Sequence, residues 1–167
     1  MRKTRLTLIA TLVCIILLGC NSQPSTTIER IELLKKQVVT DSDALQTIAN
    51  KDFTTLKKDF HYCDSILQYI DAEQVEANFE QLNLTQAYIH QFNEVRPIME
   101  KKMDFLLQQL DNLKSDAESH YLSDSLVIIY LDTETKVADT LHAQVDYFKD
   151  SFRNCQKSLD QMKKANK

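Results

Sequence analysis

Residues 123–164 read SDSLVIIYLDTETKVADTLHAQVDYFKDSFRNCQKSLDQMKK. Along this stretch Leu126, Tyr130, Val137, Leu141, Val145, Phe148, Phe152, Cys155, Leu159 and Met162 recur in steps of three, four or seven. Such spacing lines apolar side chains along one face of an α-helix. Ser123 stands where a helix N-cap belongs. Lys163, Lys164 and Lys167 suit the negative end of the helix dipole. The stretch predicts one helix of about 40 residues, roughly 60 Å long at about 1.5 Å per residue.

Upstream, a second row runs Val75, Phe79, Leu82, Ile89, Phe92, Val95, Met99, Met103, Leu106, Leu110, Leu113 and Ala117. Asp71 is placed to cap it. Pro97 falls inside the row, lacks an N–H and disfavours helix at Arg96, so a kink or break is expected there. Asn83 is a candidate for another interruption. Ser115 to Ser123 is polar and marks the connection to the last helix. Further upstream, Ile31, Leu34, Val38, Leu45 and Ala49 form one row, and Phe53, Leu56, Phe60, Cys63, Leu67 and Ile70 form another. Asp41 fills the missing place in the first row, within Thr40-Asp41-Ser42-Asp43, where a kink is also expected. Asn50-Lys51-Asp52 separates the two rows. Thr26 with Glu29 matches a capping box, so a helix should begin near Thr27.

These rows predict an all-α fold, an elongated antiparallel bundle of three long rods packed up-down-up. The first rod splits into two if it breaks at 50–52, giving four helices. Glycine usage agrees. The chain has a single glycine, Gly19. Tight hairpin turns need glycine for positive φ, so no strand is predicted. Phosphate-binding loops, dinucleotide fingerprints and nucleophile elbows need it for close backbone approach, and are excluded in their usual forms.

The amino terminus carries a different signal. Arg2, Lys3 and Arg5 precede Leu6 to Leu18, thirteen residues without a charge. A spanning helix needs about 20 apolar residues, so this stretch reads as the core of a secretion signal. Leu17-Leu18-Gly19-Cys20 follows at once and resembles the lipobox of bacterial lipoproteins. The resemblance implies cleavage after Gly19, a diacylglyceryl thioether on Cys20 and an acyl chain, such as palmitate, on the new amine. Asn21 in place of Asp leans toward the outer rather than the inner membrane. Residues 1–19 are thus the signal peptide, 20–27 a lipidated tether containing Pro24, and 28–167 the helical domain. Without the signal, 17 basic residues face 24 acidic ones, a net charge of −7. An acidic body is repelled by phosphate backbones, so no nucleic acid is expected as a partner.

Chemistry-bearing residues are sparse. Once Cys14 leaves with the signal and Cys20 is lipidated, Cys63 and Cys155 remain. Each sits eight or nine residues before the end of its rod, a mismatch in height on the order of 2 Å. They are therefore the candidate disulfide, the alternative being two buried free thiols. His90 with Glu94, and Asp139 with His142, could each offer a metal two ligands, which is too few. No HExxH, paired Glu-x-x-His or CxxCH occurs. No catalytic residue, metal or cofactor is assigned. Lys163-Lys164-Ala165-Asn166-Lys167 looks a little like the terminal lysine of murein lipoprotein, though a basic helix end accounts for it.

As a whole the chain resembles the small α-helical envelope lipoproteins of bacteria. The resemblance rests on the lipobox, the glycine-free body, Val95-Arg96-Pro97-Ile98 and Ser123-Asp124-Ser125-Leu126, and it brings no reaction with it. The expected role is non-enzymatic: a lipid-anchored envelope protein that serves structure or protein interaction, held to the membrane by its lipid. An envelope protein partner is expected, and a homo-oligomer is compatible with the pattern. The alternative is a module holding a small apolar ligand or cofactor between its helices.

Overall fold

The computed structural model describes residues 26–67 and 72–165. The secretion signal, Cys20, the Asp71 cap and Lys167 lie outside the described residues. Within them the chain is all helix, with no strand. The order is α1 (Thr27–Thr47), a π turn (Ile48–Asp52), α2 (Phe53–Ile66), α3 (Ala72–Glu118) and α4 (Asp124–Ala165). α1, the π turn and α2 form one continuous rod. α3 returns beside it and α4 runs back up, giving the three-rod bundle.

α1 begins where the capping box places it. The Glu29 N–H donates to Thr26 Oγ1 at 3.2 Å, and the Thr26 N–H donates to Glu29 Oε2 at 3.1 Å. The α-helix continues without interruption through Thr40-Asp41-Ser42-Asp43. The break falls later. Buried positions in the first rod run Ile31, Leu34, Val38, Asp41, Leu45 and Ile48, then Phe53, Leu56 and Cys63. The step from Ile48 to Phe53 is one residue too long for an α-helical face. A π turn holds one extra residue. The Phe53 N–H accordingly donates to the Ile48 carbonyl, five residues back. Both apolar rows therefore face the same core, and the first rod bulges without separating into two helices.

α3 corrects a second expectation. It runs unbroken past Asn83 and Pro97. The Pro97 ring lies on the exposed side of the helix, and Asn93, whose carbonyl loses its N–H partner, is exposed as well. Water can satisfy that carbonyl, while buried Phe92 and Met99 on either side hold the helix to the core.

The turn from α3 to α4 shows how a chain lacking glycine there closes a helix. His120 adopts φ 53°, in the left-handed region. The His120 N–H donates to Ala117 O at 3.3 Å and the Tyr121 N–H to Asp116 O at 3.0 Å. This is the Schellman pattern with histidine where glycine is usual, at a backbone cost of about 1–2 kcal/mol. The Ser123 carbonyl then accepts from the Leu126 and Val127 N–H groups and opens α4.

The core is one cluster running the length of the bundle. Just beyond the π turn it becomes aromatic. Phe53 packs on Phe92 with ring centroids 4.7 Å apart, and Phe92 meets Phe148 edge-on at 5.3 Å. The Tyr88 hydroxyl, buried among them, donates to the Phe148 carbonyl at 3.2 Å. Burial raises its pKa well above the ordinary tyrosine value.

Two predicted core rows are displaced. Phe79 is exposed, whereas Thr85 and Tyr88 are buried. Over residues 124–140 of α4 the buried residues are Val127, Leu131 and Ala138, and Leu126, Tyr130 and Val137 face outward. Leu126 to Leu131 is apolar throughout, so both choices have helical spacing. Packing against α3 selects between them.

The π turn yields a direct test. Deleting Asn50 should convert it to an α-helical turn and keep both apolar rows inside. Deleting exposed Thr40 rotates the following row by about 100° relative to the preceding one. Thermal unfolding should leave the first variant within a few degrees of wild type. The second should lose several kcal/mol, as expected when buried side chains leave a core.

Candidate functional site

Polar groups inside an apolar interface are the first places to look for chemistry. Among the described residues two buried positions are polar, Asp41 and Thr85. Asp41, only 5% exposed, lies on the core row of α1. Its Oδ1 is 2.9 Å from His142 Nδ1 on α4. On the other side of the ring, Nε2 is 3.4 Å from Asp146 Oδ2, and Asp146 also accepts from Lys149 Nζ at 2.8 Å. The histidine therefore bridges one buried and one exposed carboxylate.

Asp41 raises the His142 pKa above 6.5, chiefly through the side-chain hydrogen bond and then through its charge. Lys149 beside Asp146 holds that carboxylate below its ordinary value. A raised histidine pKa means the ion pair's stabilisation is complete below pH 6.5 and is lost as pH rises through the folded value. The His142 side chain is 47% exposed, so solvent screens most of the interaction. The arrangement can hold a proton. It opens onto solvent rather than a cavity, and no cluster of three metal-ligating residues occurs among the described residues. It acts as a polar pin fixing α1 against α4, since shifting either helix would strand a buried carboxylate.

The sequence pairings resolve differently. His142 turns to Asp41 and Asp146, not to Asp139. His90 and Glu94 meet at 3.3 Å as an exposed pair on one helix face. The clue to the pin was visible in the sequence as a carboxylate on an otherwise apolar row.

Cys63 and Cys155 are both free and buried, the second of the two arrangements the sequence left open. Cys63 Sγ approaches the Leu159 carbonyl at 3.6 Å. Leu159 lies four residues beyond Cys155, about 6 Å along the helix. The two cysteines are thus not level. Cys155 faces Thr85 on α3 instead, and burial raises both thiol pKa values. Raised pKa and burial make such thiols inert.

Charged pairs tie the rods at both ends. Lys35 on α1 meets Asp111 on α3 at 2.6 Å, and Lys114 on α3 meets Glu32 on α1 at 2.7 Å. At the opposite end Lys163 on α4 bridges Asp59 on α2 and Asp160, each at 2.8 Å. Hydrogen bonds to these carboxylates raise its pKa. Lys163, in the basic terminal stretch, is thus committed within the bundle. The surface depressions are shallow. One of about 520 Å³ lies along α4 beside Thr140, Ala143, Gln144 and Tyr147. Another of about 440 Å³ lies along α3 beside Asn83, Gln86 and His90. Both are lined by outer helix residues and not by the core, where a ligand held between helices would sit.

The fold and these contacts define an all-α antiparallel bundle with a polar pin. No family model, no curated protein and no solved structure matches the chain.

The pin gives a signed prediction. Asp41→Asn should destabilise the protein more at about pH 5.5 than at about pH 8.5, because charged His142 strengthens the pair only at the lower pH. Urea unfolding at the two values reads the difference directly. An equal loss at both would mean that the charge on His142 does not contribute.

Proposed function

We propose that the chain is a lipid-anchored lipoprotein of the bacterial cell envelope, and that its helical body serves a structural or protein-interaction role rather than catalysis. The observation that carries this reading is the order of the leader. A basic start, a short uncharged run and Leu17-Leu18-Gly19-Cys20 follow one another without a gap. Each part is common alone, but their order matches what a lipoprotein signal requires.

The body is consistent with such an anchor. α1 begins at Thr27, seven residues after Cys20, which leaves a short tether between lipid and bundle. No described helix is long and apolar enough to cross a membrane. Two or three acyl chains would supply the attachment, at about 0.8 kcal/mol for each buried methylene. With Asn21 next to the cysteine, the outer membrane is the favoured destination.

A bundle anchored this way acts through geometry. Arg30 of α1 pairs with Asp132 near the start of α4 at 3.2 Å, so the turn at 119–123 lies at the same end as the tether. α4 has 42 residues, which carries its carboxyl end about 63 Å from the membrane-proximal end.

Mass spectrometry of the mature chain decides the anchor. The amino-terminal tryptic peptide should begin at Cys20, end at Arg30 and carry the added mass of a diacylglyceryl group. Cys20→Ala should abolish lipid labelling and leave the leader uncleaved. A mature terminus at any other residue ends the proposal.

A further inference from the structure

Contacts between α3 and α4 fix which of their surfaces remain open. The Tyr147 hydroxyl donates to Gln91 Oε1 at 3.3 Å and the Ser158 hydroxyl to Gln81 Oε1 at 3.1 Å. With Tyr88 bonded to the Phe148 carbonyl, these contacts set one antiparallel register. That register places Ile98 level with Thr140 and Phe105 level with Thr133. Residues seven apart share a face in packed helices. Ile98 and Phe105 therefore stand on the same rim as Gln91, and Leu126 on the same rim as Tyr147, with Tyr130 and Val137 interleaved. The first rod lies on the opposite side, where Asp111 and Lys114 of α3 and Asp132 and His142 of α4 meet it.

The result is one face across α3 and α4 on which exposed apolar side chains alternate with Gln91, Asn112, Thr133, Thr140 and Gln144 and carry no acidic residue between them. Phe105 is 61% exposed, Ile98 55% and Tyr147 53%. The heptad column through Ile98 occupies positions 84, 91, 98, 105 and 112. The column through Val137 occupies 126, 130, 133, 137, 140, 144 and 147. None of these positions is acidic, in a chain where 26% of residues are charged, and exposed Lys102, four residues after Ile98 and three before Phe105, is the charge interleaved with them on α3. A solvated helix face would carry its share of charge. One without acidic residues and with exposed aromatics marks a contact surface.

We propose that this face is where two copies of the chain pack together, side by side with their rods parallel. Three features favour a second copy. First, the chain is acidic, with a net charge of −4, so two copies can meet closely only through a surface free of that charge. Second, the face holds the lone charge of Lys102 and no array of charges that would select a different partner. Third, the area is sufficient. In the α3–α4 register the face extends from Leu126 to Leu84, about 42 Å, and two helix widths make it about 20 Å wide. The resulting footprint of about 800 Å² per copy is the size of a standard interface.

A two-fold axis along the rods sets α3 of one copy against α4 of the other. These helices are antiparallel neighbours, so their pairing completes a four-helix layer. It also brings both amino ends to the same end of the dimer. The parallel orientation rests on the proposed lipid anchor, because an axis across the rods would send the two tethers in opposite directions.

The test uses the full chain purified from membranes in mild detergent. Sedimentation at about 10 µM should give two chains per particle, a Kd in the micromolar range or tighter. Phe105→Glu with Val137→Glu should weaken association at least about 100-fold, because buried like charges repel. Both side chains are exposed, so helix content and melting temperature should stay unchanged. A photo-crosslinking p-benzoylphenylalanine in place of Tyr130 should mark α3 near Gln108 of the partner subunit. A monomeric wild type, or a dimer that ignores the two glutamates, overturns the proposal. A crosslink to α4 near Ala143 of the partner subunit, or to a different protein, does so as well. A chain that dimerises as described but begins at another residue refutes the anchor alone.

Discussion

The register of α3 against α4 governs this structure. Its buried directional contact is Tyr88 to the Phe148 carbonyl, and Ser158 to Gln81 and Tyr147 to Gln91 follow the same alignment nearer the surface. Apolar packing alone is tolerant of register, because Leu, Ile and Val satisfy one another in many alignments. A buried hydroxyl is less tolerant, since losing its partner costs about 1–3 kcal/mol. Once these contacts fix the register, Val127, Leu131 and Ala138 go inward, and Leu126, Tyr130 and Val137 go outward. The same choice creates the core and leaves the second apolar face open.

Most of the architecture could be read from the residues. The helices, their lengths and their order follow from apolar spacing, and the capping box at Thr26 and the N-cap at Ser123 lie where the pattern puts them. Phase was harder to read. Between residues 126 and 131 every side chain is apolar, so periodicity cannot say which stripe is buried. Pro97 misled for another reason: a proline breaks a helix only when its freed carbonyl has no other partner, and exposure at Asn93 supplies one. The pin was half visible. Asp41 stood out as a charge in an apolar row, but its partner lies 101 residues away on another rod, beyond the reach of local spacing. The cysteines were close in estimated height, yet the rods pack with Cys63 opposite Leu159. A four-residue offset is enough to separate two thiols.

The π turn and the Asp41–His142 pair address the same problem in different ways. A long rod built of repeats can slide by a whole turn and still bury apolar groups. An insertion of one residue at Ile48–Asp52 divides the first rod into two phases, so a slipped alignment suits only one half. A buried carboxylate that has a single cationic neighbour on α4 penalises the slip again. Aromatic packing of Phe53, Phe92 and Phe148 sits immediately beyond the bulge, where bulky rings fill the wider turn. Uniqueness of alignment thus comes from irregularities in an otherwise periodic sequence.

The closing turn between α3 and α4 has a consequence for reach. Tyr121, 80% exposed, projects from that turn at the end of the bundle where α1 begins. The opposite extremity holds the carboxyl end and the Lys163–Asp59 clasp. Lengthening every rod by one heptad would move that extremity outward by about 10 Å while repeating contacts already present. The length of such a bundle is thus graduated in turns of helix, as a ruler is in equal divisions.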